Sequence, residues 1–209
     1  MKIVIFGASG RTGQHLISQA LEQDHDVTAF ARTPGKIQMN HNRLQIIQGD
    51  IHDLDAVDQA VEGQDAVMCA LGVNKGDPVT ALADGTRNII QAMKKHRVRR
   101  ILNVSAAGFS GERADFLIGK ILFWFFNRYL TKLFASMKKQ HEVIEESGLD
   151  WIAVRPFLLD EGSRKGGCRI ALEGIPSGGY RINTGDVADF MLKNLEGDEY
   201  LSKAPALAY

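Results

Sequence analysis

The feature that most narrows what this chain can fold into lies at its start. KIVIF, residues 2–6, is apolar after its first lysine and runs into Gly7-Ala8-Ser9-Gly10-Arg11-Thr12-Gly13. A short apolar run ended by glycine reads as a strand buried in a parallel sheet. RTGQHLISQALEQ, residues 11–23, follows with Leu16, Ile17, Ala20 and Leu21 on one helical face. The turn spells G-x-x-G-x-x-G, a variant of G-x-G-x-x-G, and it sits between strand and helix, where that pattern has a physical role. Gly7 allows the sharp exit from the strand. Gly10 lets the backbone approach a pyrophosphate at the helix N-terminus, and Gly13 lets helix and sheet pack closely. Ser9, Arg11 and Thr12, inside the same turn, are cofactor-binding candidates. The expectation is a dinucleotide site.

The rest of the chain repeats the alternation. Strand signals fall at 25–30, 44–48, 65–71, 100–105 and 151–156, the last stopped by Pro156. Helix patterns occupy DLDAVDQAVEG, 53–63, with Asp53 as a plausible N-cap, and 79–95. A further helical region covers roughly 115–147 and is expected to be broken. The helix opening at TGDVADF has Thr184 or Asp186 near its cap. Residues 160–179 are rich in glycine and read as loops around short strands, and a final strand is expected at 199–202 or not at all. This order predicts an α/β fold, a doubly wound parallel sheet of the Rossmann type with helices on both faces. The length of 209 residues suits one domain over 1–209, with small substrate-side elaborations around 108–135 and 157–182.

In such a sheet ligands lie beyond the carboxyl ends of the strands. An acidic residue at the end of the second strand would hold the 2'-hydroxyl of NAD. That place holds Ala31 and Arg32, so Arg32, with Arg11 and Lys36 nearby, favours a 2'-phosphate and therefore NADP(H). Asp50 and Ile51 end the third strand, where Asp50 suits an adenine amino group and Ile51 the ring face. The alternative for Asp50 is a plain helix cap. Ala70, Leu71 and Gly72 end the fourth strand, where small residues let a ribose pass. Ser105 ends the fifth, on the nicotinamide side, as the best polar candidate beside a transferred hydride; its alternative is a turn cap. Pro156 and Phe157, at the end of the sixth strand, complete the cofactor-binding candidates.

The chemistry is less defined. Tyr129 is followed by Lys132 and not by a lysine at position 133, so the one-turn Tyr–Lys pair that supplies a proton in carbonyl reduction is missing. A conjugated acceptor needs no such acid, because solvent can protonate it once two rings are stacked. The six histidines show no metal-ligand spacing. The run Lys94-Lys95-His96-Arg97-Val98-Arg99-Arg100 suits a helix C-terminus, with a nucleic-acid or partner patch as the lesser reading. Twenty-five basic residues balance twenty-five acidic ones, which removes any global charge argument for nucleic acid. No apolar stretch reaches spanning length. Two cysteines, and a start that meets Gly7 before any leader-length apolar core, point to the cytoplasm. The aromatic stretch at 118–130 can wall a planar-substrate pocket, form a homodimer seam or touch a membrane surface.

These residues resemble the atypical short-chain dehydrogenase/reductase group, in its NmrA-like, NAD(P)-binding branch, and within it the flavin reductase and biliverdin IX-beta reductase proteins. The resemblance is carried by GASGRTG at 7–13, Arg32, QGD at 48–50, VEGQDAVMCALG at 61–72, DGTRNIIQAMKKHRV at 84–98, VSA at 104–106, HEVIEESGLDWIAVRP at 141–156 and GDVADFMLKNLEGDEY at 185–200. It implies an NADPH-dependent reductase of flavins or other planar acceptors. In that family Gly7, Gly10, Thr12 and Gly13 surround the pyrophosphate, Arg32 meets the 2'-phosphate, and Ser105 stands beside nicotinamide and substrate. A histidine follows the sixth-strand proline in the family; here Phe157 replaces it, which weakens the case for biliverdin and leaves flavin less affected. The relatives include redox sensors that bind the dinucleotide without turning it over, which is the alternative reading.

Overall fold

In the computed structural model of the chain, residues 1–73, 76–107 and 117–209 are described, with 117–130 described by backbone alone. The strands are β1 (Lys2–Phe6), β2 (Asp26–Ala31), β3 (Leu44–Gln48), β4 (Ala66–Cys69), β5 (Arg100–Val104), β6 (Asp150–Pro156), β7 (Leu158–Asp160), β8 (Arg169–Ala171), β9 (Arg181–Asn183) and β10 (Ala206–Ala208). The helices are α1 (Arg11–Glu22), α2 (Leu54–Val61), α3 (Ala81–His96), α4 (Leu117–Glu145) and α5 (Thr184–Lys193). The main sheet runs β3-β2-β1-β4-β5-β6-β10-β8, and β7 pairs with β9 apart from it. The first seven strands of the main sheet are parallel, and β8 is antiparallel at the edge. The order reverses at β1, between β2 and β4, as a doubly wound Rossmann sheet requires.

Alternate strand residues feed two cores. Ile3, Ile5, Leu16, Ile17, Val187 and Met191 pack on the face carrying α1 and α5. Val4, Phe6, Val57, Ile89, Met93, Ile101 and Ile144 pack on the face carrying α2, α3 and α4. Each fully buried aliphatic side chain of this kind contributes about 1.5–3 kcal/mol. Asp53 caps α2 as its sequence suggests, accepting from the amides of Asp55 and Ala56 at 3.1 and 3.2 Å.

Two details differ from expectation. The segment 199–202 is turn, with Ser202 at φ 54°, and the last strand is β10, between β6 and β8. Its Ala-Leu-Ala sequence has no strand signature, so pairing with two neighbours decides its conformation. α4 runs unbroken over Leu117–Glu145. Asn183 is the N-cap of α5, and Thr184 and Asp186 follow in its first turn as expected, yet no side chain caps the helix. The Asp186 carboxylate instead accepts from the amides of Lys165 at 3.0 Å and Gly166 at 2.7 Å, and from the Tyr209 hydroxyl at 2.6 Å. This ties the glycine-rich segment to α5. Among the described residues no helix is long and apolar enough to cross a membrane.

Candidate functional site

Gly7 leaves β1 with φ +79°, and a Cβ there would stand 2.4 Å from the Ala70 carbonyl oxygen. The turn therefore needs glycine twice over, for its left-handed backbone and for the close passage of the chain leaving β4. The Gly10 amide donates to the Gly7 carbonyl at 2.9 Å and closes the turn. Gly10 is the N-cap of α1, no side chain caps that helix, and no acidic residue sits in its first turn. Its free N–H groups and the positive end of its dipole are left for an anion. At Gly13 a Cβ would meet the Gly7 oxygen at 2.3 Å and the Ala8 Cα at 2.8 Å, so only glycine lets α1 start this close to the turn.

A cleft of about 740 Å³ opens over the carboxyl ends of β1 to β4. Gly7, Ser9 and Gly10 form its floor, Arg32 and Asp50 with Ile51 one side, and Ala70, Leu71 and Gly72 the other. Nine of the sequence candidates thus meet in one cavity. Arg32 is exposed, and Thr33 and Lys36 join it in the lining. No carboxylate among the described residues pairs with Arg32 or Lys36, whereas Arg43, Arg87, Arg99 and Arg100 are each paired. Asp50 Oδ1 accepts the His52 amide at 2.9 Å, which fixes the carboxylate and leaves lone pairs toward the cleft.

Other candidates fall outside this cavity. Arg11 is exposed at the first position of α1, and Thr12 and Gly13 are buried behind the turn. Ser105, Pro156 and Phe157 sit at the ends of β5 and β6, beyond the cleft's lining. There the two chains stay zipped, the Ser105 amide donating to Val154 at 2.8 Å and the Ala107 amide to Pro156 at 3.0 Å. Ser105 is 2 % exposed, and its hydroxyl makes no hydrogen bond. The Phe157 ring stands 6.0 Å from that of Tyr180. Tyr129, and with it the Tyr129–Lys132 pair, lies outside the described side chains, as does the aromatic stretch 118–130.

The basic run lies at the opposite, amino ends of the strands. Asp58 holds Lys95 at 2.7 Å and His96 at 3.0 Å, Asp150 holds Arg99 at 3.0 Å, and Asp198 holds Arg100 at 3.0 Å. Burial pushes the Cys69 thiol, at the end of β4, up to about 12, so it is not a nucleophile near neutrality.

Sequence reasoning missed five contributors. Gly49 is needed because the Phe30 ring would lie 2.5 Å from its Cβ. His52, Leu82 and Asp84 join the lining from the β3–α2 turn and α3. Gly85 gives up its Cβ to Ile51, and a glycine inside a helix pattern was the available signal for it.

Comparison with known proteins agrees with this geometry. The yeast UPF0659 protein YMR090W of Saccharomyces cerevisiae is 26 % identical over 206 residues, covering 93 % of this chain and 87 % of its own. Reductase pytE of Aspergillus terreus is 25 % identical, covering 99 % of this chain and 97 % of its own. A short-chain dehydrogenase/reductase from Veillonella parvula, solved in complex with NADP, superposes with a TM-score of 0.84 at 21 % identity, covering 100 % of this chain and 94 % of that one. The model of the NAD(P)H-binding family matches residues 7–198. Nearly the whole chain is matched, and the match includes the glycine turn, the uncapped helix and the strand ends that line the cleft. The chain belongs to the NAD(P)H-binding family of Rossmann-fold proteins.

Proposed function

We propose that the chain is an NADPH-dependent reductase that passes hydride to a planar conjugated acceptor, a flavin or a quinone. The observation that carries this reading is the pair of exposed, unpaired cations at the end of β2. Arg32 and Lys36 line the cleft where an NAD site would place a carboxylate, and a guanidinium there suits the 2'-phosphate bidentately. In this reading Gly7, Ser9 and Gly10 take the pyrophosphate with the amides opening α1, while Arg11, Thr12 and Gly13 shape that end of the helix. Asp50 accepts from the adenine amino group against Ile51, and Ala70, Leu71 and Gly72 leave room for the ribose. Ser105, Pro156 and Phe157 border the nicotinamide. The bound cofactor supplies the hydride.

Ser105 is the one polar side chain among the sequence candidates at that end. Its hydroxyl orients the carboxamide or the acceptor; no neighbour makes it a nucleophile. The reaction takes one hydride and one proton, and for a conjugated acceptor the proton comes from solvent. Geometry therefore does most of the work, by holding two rings at reacting distance. The likeness to a protein named a reductase supports the same class. The whole chain would act as one domain, with 157–182 shaping the acceptor side; of the elaboration expected at 108–135, residues 108–116 lie outside the described residues.

The test is NADPH oxidation by the purified protein with riboflavin, FMN or a quinone in excess. Saturable turnover is expected with at least one of them. Tight NADP(H) binding without turnover above the protein-free rate would replace the reductase by a cofactor-binding sensor.

A further inference from the structure

Beneath α4, on the sheet face shared with α3, four buried polar side chains carry atoms that make no hydrogen bond. Asn103 is 1 % exposed and Ser105 2 %, both on β5 or its extension; Ser136 and Gln140, on α4, are 0 % exposed. Both amide atoms of Asn103, the hydroxyls of Ser105 and Ser136, and Oε1 of Gln140 are without a partner.

Topology places them together. Asn103 is in register with Cys69 on β4, so their side chains share a face. The Gln140 amide nitrogen reaches Cys69 Sγ at 3.7 Å and Thr86 Oγ1 at 3.0 Å on that same face. Gln140 and Asn103 are therefore neighbours across the α4–sheet interface. Ser105 lies two residues beyond Asn103 on the same face, about 6.6 Å toward the carboxyl ends of the strands. β5 and β6 are parallel, so α4 between them runs back against the strands. Ser136, four residues before Gln140, then lies on the same helix face about 6 Å in that same direction. Two rungs result: Asn103 facing Gln140, and above it Ser105 facing Ser136.

A buried polar atom left unsatisfied costs about 1–3 kcal/mol. Five such atoms in one place would consume much of the roughly 5–15 kcal/mol that holds a domain folded. None of the four side chains ionises near neutrality, so the site has no charge to offer an ion. Their mixture of amide donor, amide acceptors and hydroxyls matches a molecule that both donates and accepts, and a buried water typically makes about three such bonds.

We propose that Asn103, Ser105, Ser136 and Gln140 enclose a site for ordered water, and that this water fixes the Ser105 hydroxyl at the acceptor end of the cofactor. Ser136 and Gln140 are then positioning residues acting through Ser105. The water site stands independently of the reductase reading; only its effect on turnover rests on that reading.

The test compares wild type, Ser136→Ala, Ser105→Ala and the double variant. A crystal structure of the wild-type protein is expected to show water within hydrogen-bond distance of Ser136 Oγ and the Asn103 amide. Ser136→Ala should lower Tm. It should also lower kcat several-fold with the Kd for NADPH unchanged, and have no further effect on kcat in the Ser105→Ala background. A dry site, or a Tm raised by Ser136→Ala, overturns the water. An unchanged kcat, or losses from the two serines that multiply, overturns the positioning role. Failure of the wild type to turn over any acceptor strikes the reductase reading and leaves the crystallographic and Tm results to decide the water site.

Discussion

Gly85→Ala probes how the cofactor cleft is shaped from behind. Gly85 lies inside α3, where replacing glycine by alanine normally stabilises a helix by about 1 kcal/mol. Here a Cβ would stand 2.3 Å from Ile51 Cδ1, 2.6 Å from Cγ1 and 3.1 Å from Cβ. Carbon atoms pack at about 3.5–4.0 Å, so the tip of Ile51 must retreat by about 1.2 Å or more, and it lines the cleft. Overpacking of this kind costs about 1–3 kcal/mol. The two effects together predict a loss of about 0–2 kcal/mol in urea unfolding, with weakened NADPH binding as Ile51 swings into the adenine end. Ile51→Ala removes both offending atoms and keeps only the Cβ at 3.1 Å. In that background Gly85→Ala should therefore be stabilising by about 1 kcal/mol, the helix gain alone. The coupling across the four proteins should be about 1–3 kcal/mol, well above the roughly 0.5 kcal/mol scatter of independent sites. Additivity within that scatter would refute the steric account, and an unchanged Kd for NADPH in Gly85→Ala would refute the placement of Ile51 against the cofactor.

Arg32→Ala should weaken NADPH binding about tenfold or more, the about 1.5–3 kcal/mol of a charge-assisted contact, while NADH binding measured by the same titration changes little. Equal losses for both cofactors would remove the 2'-phosphate assignment. Cys69 should fail to react with a thiol reagent at pH 8 in the folded protein and react once urea unfolds it, because burial holds its thiol up at about 12. Asp53→Ala should cost about 1 kcal/mol by denaturant titration, since it strips the cap from α2. Burial, opposed by the Glu145 carboxylate and reinforced by the Arg155 charge, holds the His141 imidazole below its usual range. The unfolded chain then takes up that proton first, so stability is full above about pH 6.5 and falls as pH drops below it. Urea midpoints at pH 7.5 and 5.5 should diverge more in wild type than in His141→Gln; identical divergence would show that His141 does not contribute.

The turn, the strand ends and Arg32 could be read from the chain because each is a local pattern. Gly7 sits where a strand must turn, and Arg32 is counted from it. β3 spans the same residues 44–48 in sequence pattern and structure. What escaped reading depends on partners far away in sequence. Gly85 and Gly49 are glycines for the sake of Ile51 and Phe30; the helix pattern around Gly85 marks that glycine as unusual, but no local pattern names the neighbour either one makes room for. Ala206–Ala208 becomes a strand only because β6 and β8 flank it. Ser136 and Gln140 look like ordinary polar positions of a charged helix. Lys138 and Lys139 beside them are indeed exposed, yet the serine and glutamine turn inward. His141, three residues from Lys138, packs its ring 5.4 Å from that of Trp151.

The Asp186 carboxylate has a consequence for hydrogen exchange. Four glycines lie between positions 162 and 174, a composition that ordinarily means a segment whose amides exchange as fast as those of a free chain. Two of its amides, those of Lys165 and Gly166, are instead bound to a carboxylate in the first turn of α5, and the Tyr209 hydroxyl holds that carboxylate from the other side. Their deuterium uptake should thus follow the opening of α5 and its packing on α1, so that a segment composed like a linker reports on the stability of the sheet's helical layer.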